Sequence, residues 1–343
     1  MISIGVVAPS AVIPQVEFKL GIAKLREEGF KVVVHSQCRK KHLFFAGKDQ
    51  ERAQAFFEYA ARDDLQIIWA ARGGYGALRI LPFLEALTQK HGKPSPKLFI
   101  GYSDSVALLE FVKRRWGWDA LHAPMPGMRE FSVLAPLEWR TLMDLVHRKT
   151  ELPWNDPWPG QILKFFGKPP ARLIESELTG GNLAVIASMI GTPYELRAKG
   201  KILFLEDIGE GMYRIDRMLQ QLKLSGAFEG VQAIILGNFL QCEDAVGQML
   251  RLPPSEGLSQ EEKLEQLSRP DAANLRPLRK KMTPTEGLGK IFGELALVLG
   301  IPIGYGLPVG HGPGRAPLPL GAKYRLTPKG RLELVSWKWL RKR

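Results

Sequence analysis

Lys97-Leu98-Phe99-Ile100-Gly101-Tyr102-Ser103-Asp104-Ser105-Val106-Ala107-Leu108-Leu109 is the stretch on which the reading of the fold turns. An apolar run typical of a buried strand stops at Gly101, and an apolar helical pattern begins at Val106. Ser103 therefore falls on a tight strand-to-helix turn, where a hydroxyl is presented at the sheet end and the helix N-terminus favours negative charge. The match to the hydrolase elbow G-x-S-x-G is incomplete, because Ser105 stands where the second glycine belongs. Two readings stay open here: a nucleophile, or a plain βα turn in which Ser103 or Asp104 caps the helix.

Outward from that turn, residues 1–150 alternate strand and helix signals. Strands are expected at 3–8, 31–35, 65–71, 97–102 and 120–124, and helices near 15–28, 49–62, 76–88, 105–115 and 136–148. Such alternation calls for an α/β domain with a parallel sheet covered by helices. The prolines of Leu152-Pro153-Trp154-Asn155-Asp156-Pro157-Trp158-Pro159-Gly160 exclude regular structure, and 151–170 reads as a linker. A second domain over 171–343 is expected to hold strands at 171–178, 201–206, 231–237 and 301–305, with helices near 181–190, 212–223 and 286–299. A β-rich end follows at 322–339. Residues 243–285 are polar and proline-containing, with one short helical signal at 259–267, and are expected to form a surface insertion.

The 343 residues carry 48 Lys and Arg against 35 Asp and Glu, a net charge of +13. A basic chain suits an anionic partner. Its densest clusters are Arg279-Lys280-Lys281, Lys113-Arg114-Arg115 and Arg341-Lys342-Arg343, and the second sits where a helix should end. No nucleic-acid motif accompanies them, even though Trp116 and Trp118 lie beside one, so nucleic acid is not an expected partner. The most apolar window, 291–310, is broken by Glu294, Pro302, Pro308 and glycines, so membrane insertion is not expected. The chain opens on Ile2-Ser3-Ile4-Gly5-Val6-Val7, which reads as a strand and not as a leader. The two cysteines, Cys38 and Cys242, give neither a disulfide framework nor metal-ligand spacing. A cytoplasmic, reduced protein is expected.

Four further segments carry chemistry. Ala71-Arg72-Gly73-Gly74-Tyr75-Gly76 ends a strand in glycines, without the ending of a phosphate loop or the third glycine of a dinucleotide fingerprint. A glycine N–H there suits an oxyanion donor, or the segment is a plain turn. Leu178-Thr179-Gly180-Gly181-Asn182-Leu183 reads as another glycine turn opening a helix. Lys201-Ile202-Leu203-Phe204-Leu205-Glu206-Asp207 is an apolar strand ending in two acids, which serve a site or else cap the next helix or pair with Arg214 and Arg217. In Val309-Gly310-His311-Gly312-Pro313-Gly314-Arg315 a histidine sits among glycines that leave room for its ring. His311 is the first candidate base and His122, after a strand, the second. Ser103, Glu206 and His311 supply what acyl transfer needs: a weak nucleophile, a base to take its proton, and an acid to orient the base.

These segments resemble the LD-carboxypeptidases, a serine peptidase family with murein-peptide and microcin-immunity members. The resemblance runs from Gly5-Val6-Val7-Ala8-Pro9-Ser10 to Pro319-Leu320-Gly321 and rests on A-R-G-G-Y-G, G-Y-S-D-S, T-G-G-N-L, F-L-E-D before Y-R-I-D-R-M-L, G-N-F-L-Q-C, and G-H-G ahead of P-L-P-L-G. It implies a flavodoxin-like or amidotransferase-like parallel-sheet N-terminal domain and a smaller, swivelling β/β/α C-terminal domain, with the site between them and a homodimer as the assembly. It implies Ser103 as nucleophile, His311 as base and Glu206 as orienting acid, with no metal or organic cofactor. The oxyanion hole would take the Asp104 N–H and one from Gly74, with Gly73 the alternative. Arg72 is a substrate-carboxylate clamp or a structural ion pair. The implied reaction removes a terminal D-alanine from murein tetrapeptides by cleaving an L,D amide bond. The rival functions are an immunity-type peptidase acting on aminoacyl-nucleotide antibiotics, with Trp154 or Trp158 as base platform, and a non-catalytic ligand-binding protein.

Overall fold

The computed structural model describes residues 1–154, 158, 161–242, 259 and 284–341. The expected insertion at 243–285 lies almost wholly outside the described residues.

The first sheet is built from β1 (Ser3–Val7), β2 (Lys31–Val34), β3 (Ile67–Ala70), β4 (Leu98–Gly101) and β5 (Asp119–His122), all parallel and in the order β2-β1-β3-β4-β5. This is the flavodoxin-like order, with its switch point between β1 and β3. The strands β1, β3 and β4 are fully buried, which is why they read as unbroken apolar runs. The crossovers run through α1 (Gln15–Glu27), α2 (Asp49–Ala60), α3 (Ala77–His91) and α4 (Val106–Phe111). The helix expected over 105–115 changes character: α4 gives way to a π-helical turn at Val112–Trp116. Its basic triplet is paired, Lys113 with Glu110 at 2.8 Å and Arg115 with Glu85 at 3.4 Å.

Past α5 (Arg129–Ser132) and α6 (Pro136–Val146), the chain enters a second sheet through β6 (Lys164–Phe166), a short strand not expected from the sequence. The central strands of this sheet are β7 (Ile174–Asn182), β8 (Ile202–Ile208), β9 (Ala233–Leu240) and β10 (Ile303–Tyr305), parallel to one another. Helices α7 (Leu183–Met189), α8 (Met212–Leu224) and α9 (Pro284–Leu299) accompany them. The antiparallel strands β12 (Lys323–Leu326) and β13 (Leu332–Ser336) extend one edge, and β6 closes the other. One strand from this half crosses back. β11 (Leu318–Leu320) pairs antiparallel with β5, Leu318 opposite His122, as the outermost strand of the first sheet. Pro319 is tolerated there because it has no N–H to offer and the strand has one free side.

Thr179-Gly180-Gly181-Asn182 is not the turn expected. It is the end of β7, paired in register with β8 as far as Asn182 opposite Glu206. A side chain at Gly180 would fall 1.9 Å from the Phe204 carbonyl oxygen, and one at Gly181 2.4 Å from Val106 on α4. Gly180 lets β7 lie close on β8, and Gly181 lets the two halves of the molecule approach. Among the described residues no helix is long and apolar enough to cross a membrane.

Candidate active site

Ser103 leaves β4 with φ at +59°, in the left-handed region that a side chain seldom occupies. Strain of this kind is held only by its surroundings. The following Asp104 is buried, and its carboxylate accepts from the Ala77 N–H at 2.8 Å, fastening the serine turn to the start of α3. Burial pushes the Asp104 carboxyl up from its ordinary pKa. Ser105 fills the place of the elbow's second glycine without conflict. Its hydroxyl lies 3.7 Å from the Met125 sulfur, and Gly101 clears the room it takes.

The glycine loop lies directly against this turn. A side chain at Gly73 would come within 3.1 Å of the Ser103 Oγ. Gly74, with φ at +100°, packs on Ala11, whose N–H donates to the Gly73 carbonyl at 3.2 Å. A residue with no sequence signal holds the loop: buried Arg52 donates to the carbonyls of Pro9 and Gly76 and pairs with Asp49. Arg72 donates to the Val12 carbonyl, tying its own loop to the segment between β1 and α1.

The candidate acid and base come from the second half. His311 Nδ1 lies 2.7 Å from Glu206 Oε2, and the His311 backbone N–H donates to the same oxygen at 3.3 Å. Glu206 is fully buried at the end of β8, and His311 is nearly so. The flanking glycines make room less for the imidazole than for its neighbours. A side chain at Gly310 would strike Glu206 Oε2 at 2.6 Å, and one at Gly312 would strike Asn238, from the G-N-F-L-Q-C segment, at 2.6 Å. Burial alone would raise the Glu206 pKa, but the bound His311 and the nearby His122 imidazole hold the carboxyl well below its usual value. Burial pulls His311 the other way, and Glu206, with Asp207 and Glu130 behind it, raises the imidazole above its ordinary 6.5.

Tyr102 joins the two sides. It precedes Ser103 in the chain, and its ring lies 4.7 Å from that of His311 and 5.6 Å from that of His122. Sequence reasoning passed over Tyr102, although a buried aromatic beside a proposed nucleophile was the available signal. It also passed over Arg315, whose backbone N–H is bound by Glu138 at 2.7 Å and whose Nε is buried without a hydrogen-bond partner.

Other expectations resolve into structure. Asp207 caps α7, not the helix after it, accepting from the Ala184 N–H and the Asn182 amide at 2.9 Å each. Burial pushes its carboxyl up to about 6. Arg214 pairs with Glu210 and not with either acid. Trp158 is buried, and Trp154 exchanges backbone hydrogen bonds with Leu334 of β13, so both serve packing. Burial pushes the Cys38 thiol up to about 12 and the Cys242 thiol up to about 11, which leaves neither as a nucleophile. Among the described residues no three His, Cys, Asp or Glu side chains come together as a metal site.

Comparison with known proteins identifies the family. Residues 4–123 match the model of the LD-carboxypeptidase N-terminal domain, and residues 175–326 that of the LD-carboxypeptidase C-terminal domain. A probable murein peptide carboxypeptidase of Bacillus subtilis is 31% identical over 245 residues, 70% of this chain and 73% of the relative. The microcin C7 self-immunity protein MccF of Escherichia coli is 30% identical over 257 residues, 67% of this chain and 72% of the relative. The crystal structure of a muramoyltetrapeptide carboxypeptidase from Oxalobacter formigenes superposes with a TM-score of 0.68 at 27% identity, covering 98% of this chain and 99% of that one.

Proposed function

The chain belongs to the LD-carboxypeptidase family, and on that premise we propose that it is a serine-type peptidase releasing the terminal D-alanine of murein tetrapeptides by cleaving an L,D amide bond. The observation that carries this reading is the buried Glu206–His311 pair, brought from the second half against Tyr102, the residue that precedes Ser103.

Ser103 Oγ attacks the amide carbonyl while His311 Nε2 takes the hydroxyl proton; Nδ1–H stays on Glu206, which stabilises the imidazolium. The oxyanion is received by the N–H groups of Asp104 and of Gly74 or Gly73, from the turn and the loop that Asp104 and Arg52 lock together. Collapse breaks the amide C–N bond, and His311 returns the proton to the departing D-alanine nitrogen. Water then repeats the relay on the acyl-enzyme and restores Ser103. Arg72 and Arg315 are the guanidiniums assigned to substrate carboxylates, within a chain whose charge of +13 favours acidic peptides. A homodimer in the cytoplasm acting on recycled wall peptides completes the reading. The compartment rests on two buried cysteines that form no disulfide, and sedimentation tests the assembly.

Incubation with a murein tetrapeptide, followed by mass spectrometry, tests the activity. Wild type is expected to release D-alanine and Ser103→Ala to lose several orders of magnitude in turnover; equal release by the folded mutant would sink the reading. The kinship with the microcin immunity protein supports a second reading, cleavage of aminoacyl-nucleotides. An exposed aromatic pair, Phe44 and Tyr75, with rings 6.0 Å apart beside Gly74, offers a base the stacking surface that the buried tryptophan does not. Turnover of an aminoacyl sulfamoyl nucleoside in place of the tetrapeptide would select it.

A further inference from the structure

Glu206 has two oxygens, and the triad uses one. Oε2 takes both the imidazole and the backbone N–H of His311. Oε1 is buried and has no hydrogen-bond partner. His122 Nε2, equally buried and equally without a partner, faces it at 3.9 Å. A lone acceptor and a lone donor this close, both out of water, each cost free energy until they meet. The His122 ring is well held: it stands at the end of β5, opposite Leu318 of β11, with its edges against Tyr102 at 5.6 Å and Phe204 at 5.4 Å.

We propose that His122 is a positioning residue, its Nε2–H closing on Glu206 Oε1 so that the orienting acid is gripped by a histidine on each oxygen. The inference rests on the serine-peptidase reading above. With both oxygens engaged, the carboxylate cannot rotate about its own axis, and the His311 imidazole is fixed toward Ser103. The charged and titratable groups around the pair are Asp207 and Glu130 toward His311, and Tyr102 between the two imidazoles. Ligand-orienting partners of this kind change activity by roughly 10–100-fold when removed.

The test compares His122→Leu with His122→Gln on the tetrapeptide. For the leucine variant, kcat is expected to fall about 10–100-fold with KM nearly unchanged. The acid limb of its kcat/KM profile is expected to move to higher pH, since a carboxylate that has lost a donor pulls harder on the His311 proton. Glutamine, which keeps an N–H donor, is expected to restore most of both. A fall in kcat with an unmoved acid limb and no rescue by glutamine would reduce His122 to packing and overturn the proposal. Nitrogen-15 histidine spectra of the wild type give a reading independent of mutant folding: a downfield Nε2–H on His122 supports the grip, and a bare Nε2 overturns it. Ser103→Ala, assayed in parallel, separates the two levels, because activity retained there refutes the serine reading while the spectra still report on His122.

Discussion

The two halves of the site are held by opposite means. On the first sheet the proposed nucleophile and oxyanion loop are fixed by backbone: a strained φ at Ser103, glycines at 73 and 74, and carbonyls tied down by Arg52 and the Ala11 N–H. On the second sheet the proposed acid and base are fixed by side chains in a dry interior, Glu206 fully buried and His311 bound to one of its oxygens. Backbone placement is shared among several contacts to main-chain groups, none of which involves a buried acid–base pair. Side-chain placement depends on charge, so it is sensitive to one atom and to pH.

The largest effect expected on that contrast comes from the side-chain half. Glu206→Gln keeps the shape but offers His311 Nδ1 either an amide oxygen or an amide nitrogen, and kcat is expected to drop by about 10⁴. Circular dichroism should show an unchanged fold; a loss below tenfold would mean that His311 is held by backbone too. On the backbone half, Gly73→Ala pushes a methyl toward the Ser103 Oγ, and a loss of about 10² in kcat is expected. At the seam, Gly181→Ala drives a methyl into Val106 from a φ of +150°, so its effect should be read in melting and not in turnover per folded molecule. A loss of about 1–3 kcal/mol is expected by denaturant titration; no change would show that the halves are not in firm contact there.

The smallest and most diagnostic effect is that of pH. His311 must be neutral to act as base, and its pKa is raised above the ordinary 6.5 in the folded protein, so kcat/KM should rise with pH through a midpoint above that value. The two partners have opposite stability signs. The raised His311 contributes stability below 6.5 that is lost as pH rises through its folded value. The depressed Glu206 contributes stability above its unfolded 4.5 that is lost as pH falls through its folded value. Glu206→Gln should therefore flatten the melting profile at both ends, and an unaltered profile would break the comparison.

Much of this was readable before the structure because it is local. The serine turn, the glycine loop, the strand ending in Glu206 and the His311 loop all lie at strand ends or in loops, where apolar runs stop and glycines appear. What was not readable depends on contacts remote in sequence. Gly180 and Gly181 read as a turn because a helix follows them, yet they extend β7 and are glycines only because Phe204 and Val106 come close. Arg52 gave no sign, since its partners Pro9 and Gly76 lie in other loops. The His122–Glu206 approach joins two sheets and has no local signature.

The return of β11 to the edge of β5 gives the molecule a timetable. Leu318 follows His311 in the chain and pairs with His122, far behind it. During synthesis the half bearing Ser103 emerges first, with an open sheet edge, and waits for the strand that arrives together with the base. If Ser103 is the nucleophile, a chain cut before His311 carries it without the means to activate it. On the proposed reading, closing the first sheet and bringing the base to the serine are one event, because the strand that seals the edge follows His311 by only a few residues.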